Sequence, residues 1–106
     1  MDLHVGDKIW FNEEAMPYTI RACDERYLVC TKPYNLKPKT VQYTMVDLKE
    51  NIRGTDGYAI GPYDYYEDED CQAYLKELQT GESQISRRNR IELNILKVEV
   101  RVHYDE

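Results

Sequence analysis

Covalent or metal-assisted chemistry has few residues to draw on in this sequence: two imidazoles, His4 and His103, and three thiols, Cys23, Cys30 and Cys71. A nucleophile needs a base within hydrogen-bonding reach and a pocket to aim into. His4 stands near the chain start and His103 falls in the outward phase of the last strand pattern, so both read as surface residues. Zinc sites announce themselves by close pairs such as Cys-x₂-Cys, whereas these cysteines are seven and forty-one residues apart. Glu67-Asp68-Glu69-Asp70 offers hard-cation ligands, but consecutive helical residues diverge by about 100° and do not converge on one ion. Gly54, Gly57 and Gly61 lack the strand–glycine–helix setting and the Lys-Ser/Thr of a phosphate loop. The expectation is a protein with no catalytic residue, no metal and no cofactor.

Two surface features remain. The net charge of −6 is not spread evenly: Pro62 to Glu82 holds seven acids (Asp64, Glu67, Asp68, Glu69, Asp70, Glu77 and Glu82) against Lys76 alone, and the rest of the chain is neutral. Tyr65 and Tyr66 precede Glu67 directly. Carboxylates along a loop and helix can imitate nucleic-acid phosphates, and tyrosines add broad contact area at modest entropic cost. The same residues also suit a solvated helix start with tyrosines resting on the core. The second feature is Arg87, Arg88 and Arg90, with Lys97 and Arg101 further on. Such a cluster can grip a phosphate backbone, yet a sequence pI near 4.9 is unlike most nucleic-acid-binding domains.

A chain of 106 residues fits one domain, 1–106, with 42% hydrophobic residues and ten tyrosines to build a core. Lys8 to Phe11 reads as a strand behind a Val5-Gly6-Asp7 turn, and Asn12 to Pro17 as a polar loop. Tyr18, Ile20 and Ala22 alternate with polar neighbours, and a two-residue turn at Asp24-Glu25 would carry the same face on through Tyr27, Val29 and Thr31. That register sets Cys23 and Cys30 four positions apart, roughly 13 Å at about 3.3 Å per residue, beyond the ~7 Å reach of a disulfide. Free thiols fit a reducing compartment. Lys32 to Lys39 reads as an exposed connection. Thr40 opens the clearest strand, with Val41, Tyr43 and Met45 on one face, while residues 47–61 show no single pattern beyond a short strand around Tyr58-Ala59-Ile60.

One amphipathic helix is predicted at about 68–79, since Cys71, Tyr74, Leu75 and Leu78 form one stripe. Acids favour its start and Gly81 its end. In the C-terminal region Ile91, Leu93 and Ile95 share a phase that Leu96, Val98, Val100, Val102 and Tyr104 break, so a bulge or bend is expected at Ile95-Leu96 to turn both sets inward. The fold class is then α+β: a small, strongly bent antiparallel sheet or SH3-like half-barrel with one helix. No apolar run approaches the roughly 20 residues of a membrane span, and Met1-Asp2-Leu3-His4 opens no leader pattern, so a cytoplasmic location is expected.

The stretches Val5 to Phe11, Pro17 to Pro33, Tyr43 to Leu48, Ile52-Arg53-Gly54 and Ser86-Arg87-Arg88-Asn89 resemble small uncharacterised proteins of prophages and other mobile elements of Gram-positive bacteria. The resemblance implies an accessory role inside a bacterial host and transfers no site residue. With the charge pattern, it leads to an expected non-enzymatic protein-binding module. Its concrete form is an anti-CRISPR-like inhibitor whose surface Asp64, Tyr65, Tyr66, Glu67, Asp68, Glu69 and Asp70 meets a host nuclease or defence complex. The alternative is a small-barrel nucleic-acid binder acting through Arg87, Arg88 and Arg90.

Overall fold

A computed structural model describes residues 3–12, 14–33, 40–54, 57–60, 68–82, 85 and 90–100. The strands are β1 (Lys8–Phe11), β2 (Tyr18–Cys23), β3 (Tyr27–Pro33), β4 (Thr40–Asp47), β5 (Ile52–Gly54), β6 (Gly57–Ile60), β7 (Arg90–Glu92) and β8 (Ile95–Glu99), with one helix, α1 (Asp68–Thr80), between β6 and β7. All recorded pairings are antiparallel, in the order β7-β5-β4-β3-β2-β1-β8, with β6 also on β4. The fold is α+β, a curled half-barrel with one helix. No helix among the described residues is long and apolar enough to cross a membrane.

Connectivity dictates the curl. β7 and β8 sit at opposite ends of the strand path, yet only Leu93 and Asn94 separate them in sequence. Three residue steps span at most ~11 Å, so the two ends of the sheet are drawn together around an interior. Backbone bonds hold this seam: Leu93 N–H donates to the Asn51 carbonyl at 2.9 Å and Asn12 N–H to the Asn94 carbonyl at 2.8 Å.

Two bulges decide which side chains face that interior. The β2–β3 register shifts between Ile20 and Ala22, leaving Arg21 as the extra residue. Tyr18 and Ile20 therefore share the interior with Leu28 and Cys30, while Ala22 crosses to the outer face beside Val29. The single face expected for Tyr18, Ile20, Ala22, Tyr27, Val29 and Thr31 is thus split in two, because one inserted residue inverts a period of two. The turn is also one residue later than expected. Asp24 N–H donates to the Tyr27 carbonyl at 3.0 Å, and the Asp24 carboxylate accepts from the N–H groups of Arg26 and Tyr27, so Glu25-Arg26 forms the centre. An aspartate nucleates such a turn from the position before its centre.

The second bulge lies in the β1–β8 pairing, where Trp10 faces Lys97 and Phe11 faces Ile95, leaving Leu96 over. It was expected at this point, but it does not bring both apolar sets inward. Leu93, Ile95 and Val98 pack on the interior, whereas Leu96 and Val100 are 63% and 58% exposed.

β3 is buried on both faces from Leu28 to Thr31 because α1 lies over β2 and β3. The helix seats Cys71, Leu75 and Leu78 against Ala22 and Val29, and Tyr74 stacks on Tyr43 of β4 with ring centres 5.8 Å apart. Its predicted span of 68–79 is extended by one residue. Gly81, at φ +83°, then ends it in the left-handed conformation that side chains with a Cβ disfavour.

Candidate functional site

Of the acidic surface expected from sequence, Asp64, Tyr65, Tyr66 and Glu67 lie outside the described residues. Asp68, Glu69 and Asp70 form the first turn of α1, where the positive end of the helix dipole favours carboxylates. Lys76, the single base of the acidic stretch, is exposed two turns further on. Arg87 and Arg88 lie outside the described residues, and Arg90 opens β7 opposite Gly54, at the barrel seam. His103 also lies outside them, and His4 gives its backbone N–H to the Asp7 carboxylate at 2.9 Å.

All three cysteines are free thiols. Cys30 is fully buried in the barrel, and burial pushes its thiol well above the ordinary range. Cys23 is raised too, by burial first and then by the negative charges of Asp24 and Asp7, and its sulfur lies 3.8 Å from the Leu3 carbonyl. Cys71 belongs to the helix stripe, as expected. Neither Cys23 nor Cys30 has the lowered pKa of an activated nucleophile. Among the described residues no group of three or more His, Cys, Asp or Glu is placed to hold a metal ion.

Two ionic clusters were not visible in the sequence. The first ties the turns at one end of the sheet to the helix. Arg26 Nε and Nη2 donate to the two Asp47 oxygens at 3.0 and 2.8 Å, and Asp47 Oδ1 also accepts from the N–H groups of Lys49 and Glu50. Leu48 N–H meets the Arg26 carbonyl at 2.8 Å, and Gln79 of α1 donates to Asp24 at 2.9 Å. Burial pushes the Asp47 carboxyl up, but the Arg26 hydrogen bonds, the backbone donors and the Arg26 charge outweigh it and hold the group below the usual carboxylate range. Asp24 is lowered in the same way, by Tyr27, Gln79 and Arg26 against its burial.

The second cluster lies inside the barrel, at the end where β1 passes to β2. Lys32 continues the inward phase of Leu28 and Cys30, and Arg53 sits opposite Val46 on the same inner face. Their side chains are 12% and 8% exposed. The Arg53 guanidinium lies 4.0 Å over the Phe11 ring and the Lys32 ammonium 4.6 Å over the Tyr18 ring, the two rings meeting edge to face at 5.6 Å. Cation–ring contacts of this kind gain strength when desolvated. Glu14, from the loop between β1 and β2, brings Oε1 to 3.3 Å from Arg53 and 3.9 Å from Lys32. Burial, and secondarily the Glu14 charge, raise the Tyr18 phenol far above its ordinary value, against the lowering effect of Arg53, so it stays protonated. Glu14 belongs to the predicted polar loop, and Lys32, predicted to open an exposed connection, is instead 12% exposed at the inner end of β3. The available signal was the inward phase of Lys32, two residues after Cys30.

The two clusters differ in how completely the carboxylate is used. Asp47 engages both oxygens with four donors, whereas Glu14 Oε2 is buried and accepts no hydrogen bond from the described residues. A buried polar atom left in that state costs on the order of 1–3 kcal/mol. Comparison of the chain with protein-family models, curated proteins and solved structures finds no match.

Proposed function

We propose that this protein is a non-enzymatic binding module of a phage or mobile element, and that its acidic segment around the start of α1 docks on the nucleic-acid site of a basic host protein. One observation carries the reading: the entire net charge of −6 belongs to residues 62–82, and the helical part of that segment begins at Asp68. Asp68, Glu69 and Asp70 therefore occupy one helical turn, anchored to the sheet by Cys71, Leu75 and Leu78. Outside this segment acids and bases balance in number, and three of the bases, Arg26, Arg53 and Lys32, stand against Asp47 and Glu14, so the acidic segment is the main source of a negative long-range field.

Affinity capture from host cytosol tests this, comparing the native chain with a variant in which Glu67, Asp68, Glu69 and Asp70 are all replaced by Lys. The native chain retains a basic protein whose binding weakens as salt rises, and the variant loses it by tenfold or more, an order-of-magnitude expectation for a charge-steered interface. Retention of the same protein with unchanged affinity would remove the proposal. Retention of nucleic acid in place of protein would favour the arginine reading.

A further inference from the structure

Arg53 and Lys32 are fixed by the sheet, through the pairings Arg53–Val46 and Lys32–Gln42, and each head group rests on an aromatic ring. The anion between them is not fixed in the same way. Glu14 comes from the β1–β2 loop, its side chain is 25% exposed, it reaches both cations with one oxygen only, and its other oxygen is buried and unpartnered among the described residues. Asp47 shows what a fully engaged carboxylate looks like in the same chain, with bidentate Arg26 and two turn N–H groups. Two inward cations against one carboxylate leave a local excess of positive charge, and Tyr18 stands beside them as a neutral hydroxyl.

We propose that this end of the barrel is a binding site for a small oxyanion, carboxylate or phosphate, and that the Glu14 carboxylate is its built-in occupant. The loop carboxylate and a free oxyanion compete for Arg53 and Lys32. A buried guanidinium without any anion is strongly disfavoured, so withdrawal of Glu14 and entry of the oxyanion are linked. An oxyanion free of the loop can accept from Arg53 and Lys32 together, which Glu14 at 3.3 and 3.9 Å does poorly. This site is independent of the acidic segment.

The test titrates the full chain and its Glu14→Gln variant with inorganic phosphate and, separately, with acetate. Ionic strength is held constant with chloride, and the amide resonances of Tyr18, Lys32 and Arg53 are followed. Removal of the resident carboxylate is expected to bring saturation to roughly tenfold lower anion concentration, as when a competing internal state is removed, and a second change, Arg53→Gln, abolishes it. Saturation with phosphate alone, acetate alone or both supports the site and names its chemistry. Shifts no larger than those from chloride overturn it. If Glu14→Gln is unfolded in chloride, recovery of its circular dichroism on adding either anion supports the site, and failure to recover with both overturns it.

Discussion

Buried ionisable groups govern this protein's response to reagents and pH. Cys30 and Cys71 are shielded by the barrel and by α1, whereas Cys23 is only partly covered. Native-state alkylation followed by mass spectrometry should therefore modify Cys23 slowly and the other two only after unfolding, since the thiolate is the reactive form. Equal labelling of Cys30 and Cys23 would contradict the interior placement of Cys30. Asp24 and Asp47 have folded-state pKa values below their unfolded ones. Their contribution to stability is complete above the unfolded value of about 3.9 and is lost as pH falls through the folded values. The melting temperature should drop steeply below about pH 4. Asp47→Asn should lower it by a few degrees at neutral pH and flatten part of that acid dependence, as read from thermal scans across pH. The odd cysteine count and the expected hairpin register pointed to free thiols; the thiols are free, but the register differs, since Cys23 faces Leu28 and so stands two positions from Cys30 rather than four. Residue types did not reveal the Arg26–Asp47 or Glu14–Arg53 pairs, because partners 21 and 39 positions apart meet only once the strands are registered.

At the scale of elements, periodicity was a good guide wherever one face packs and the count is unbroken. The stripe Cys71, Tyr74, Leu75, Leu78 located α1 to within one residue, and alternation found β1, β2, β3 and β4. It missed the bulge at Arg21, and at Leu96 it located the bulge but not which side chains it turns outward. Arg21 and Leu96 each add one residue to a strand, and nothing in a single sequence says whether a phase break is a bulge, a bend or two separate strands. β5 was not recognised because Ile52-Arg53-Gly54 is too short for a pattern and carries a charge inward. The bulge at Leu96 gives a test that reverses the naive reading of Leu96-x-Val98 as equivalent apolar positions. Leu96→Lys should leave stability within about 0.5 kcal/mol, whereas Val98→Lys, facing Ile9 in the barrel, should cost about 2–3 kcal/mol. Denaturant unfolding measures both, and equal losses would show that Leu96 is not the extruded residue.

For the molecule as a whole, the half-barrel was legible because β-rich order around one helix admits few small architectures, and closure follows from β7 and β8 being two residues apart at opposite ends of the strand path. The polar barrel end was not legible, since Glu14, Lys32 and Arg53 arrive from a loop and two strands in regions read as exposed or unpatterned. Charge is legible from the sequence: the body of the chain is neutral, Arg26, Lys32 and Arg53 within it stand against Asp47 and Glu14, and the net −6 resides in the segment that leads into α1. The proposed docking of this segment on a basic host protein implies that nucleic acid is excluded from the site it covers. The direct test is a competition titration in which the captured host protein, carrying a fluorescent oligonucleotide, receives increasing amounts of this chain. The oligonucleotide should be released in proportion to complex formed, and not by the variant with Glu67, Asp68, Glu69 and Asp70 changed to Lys. A ternary complex that keeps the oligonucleotide bound at saturation would contradict the account.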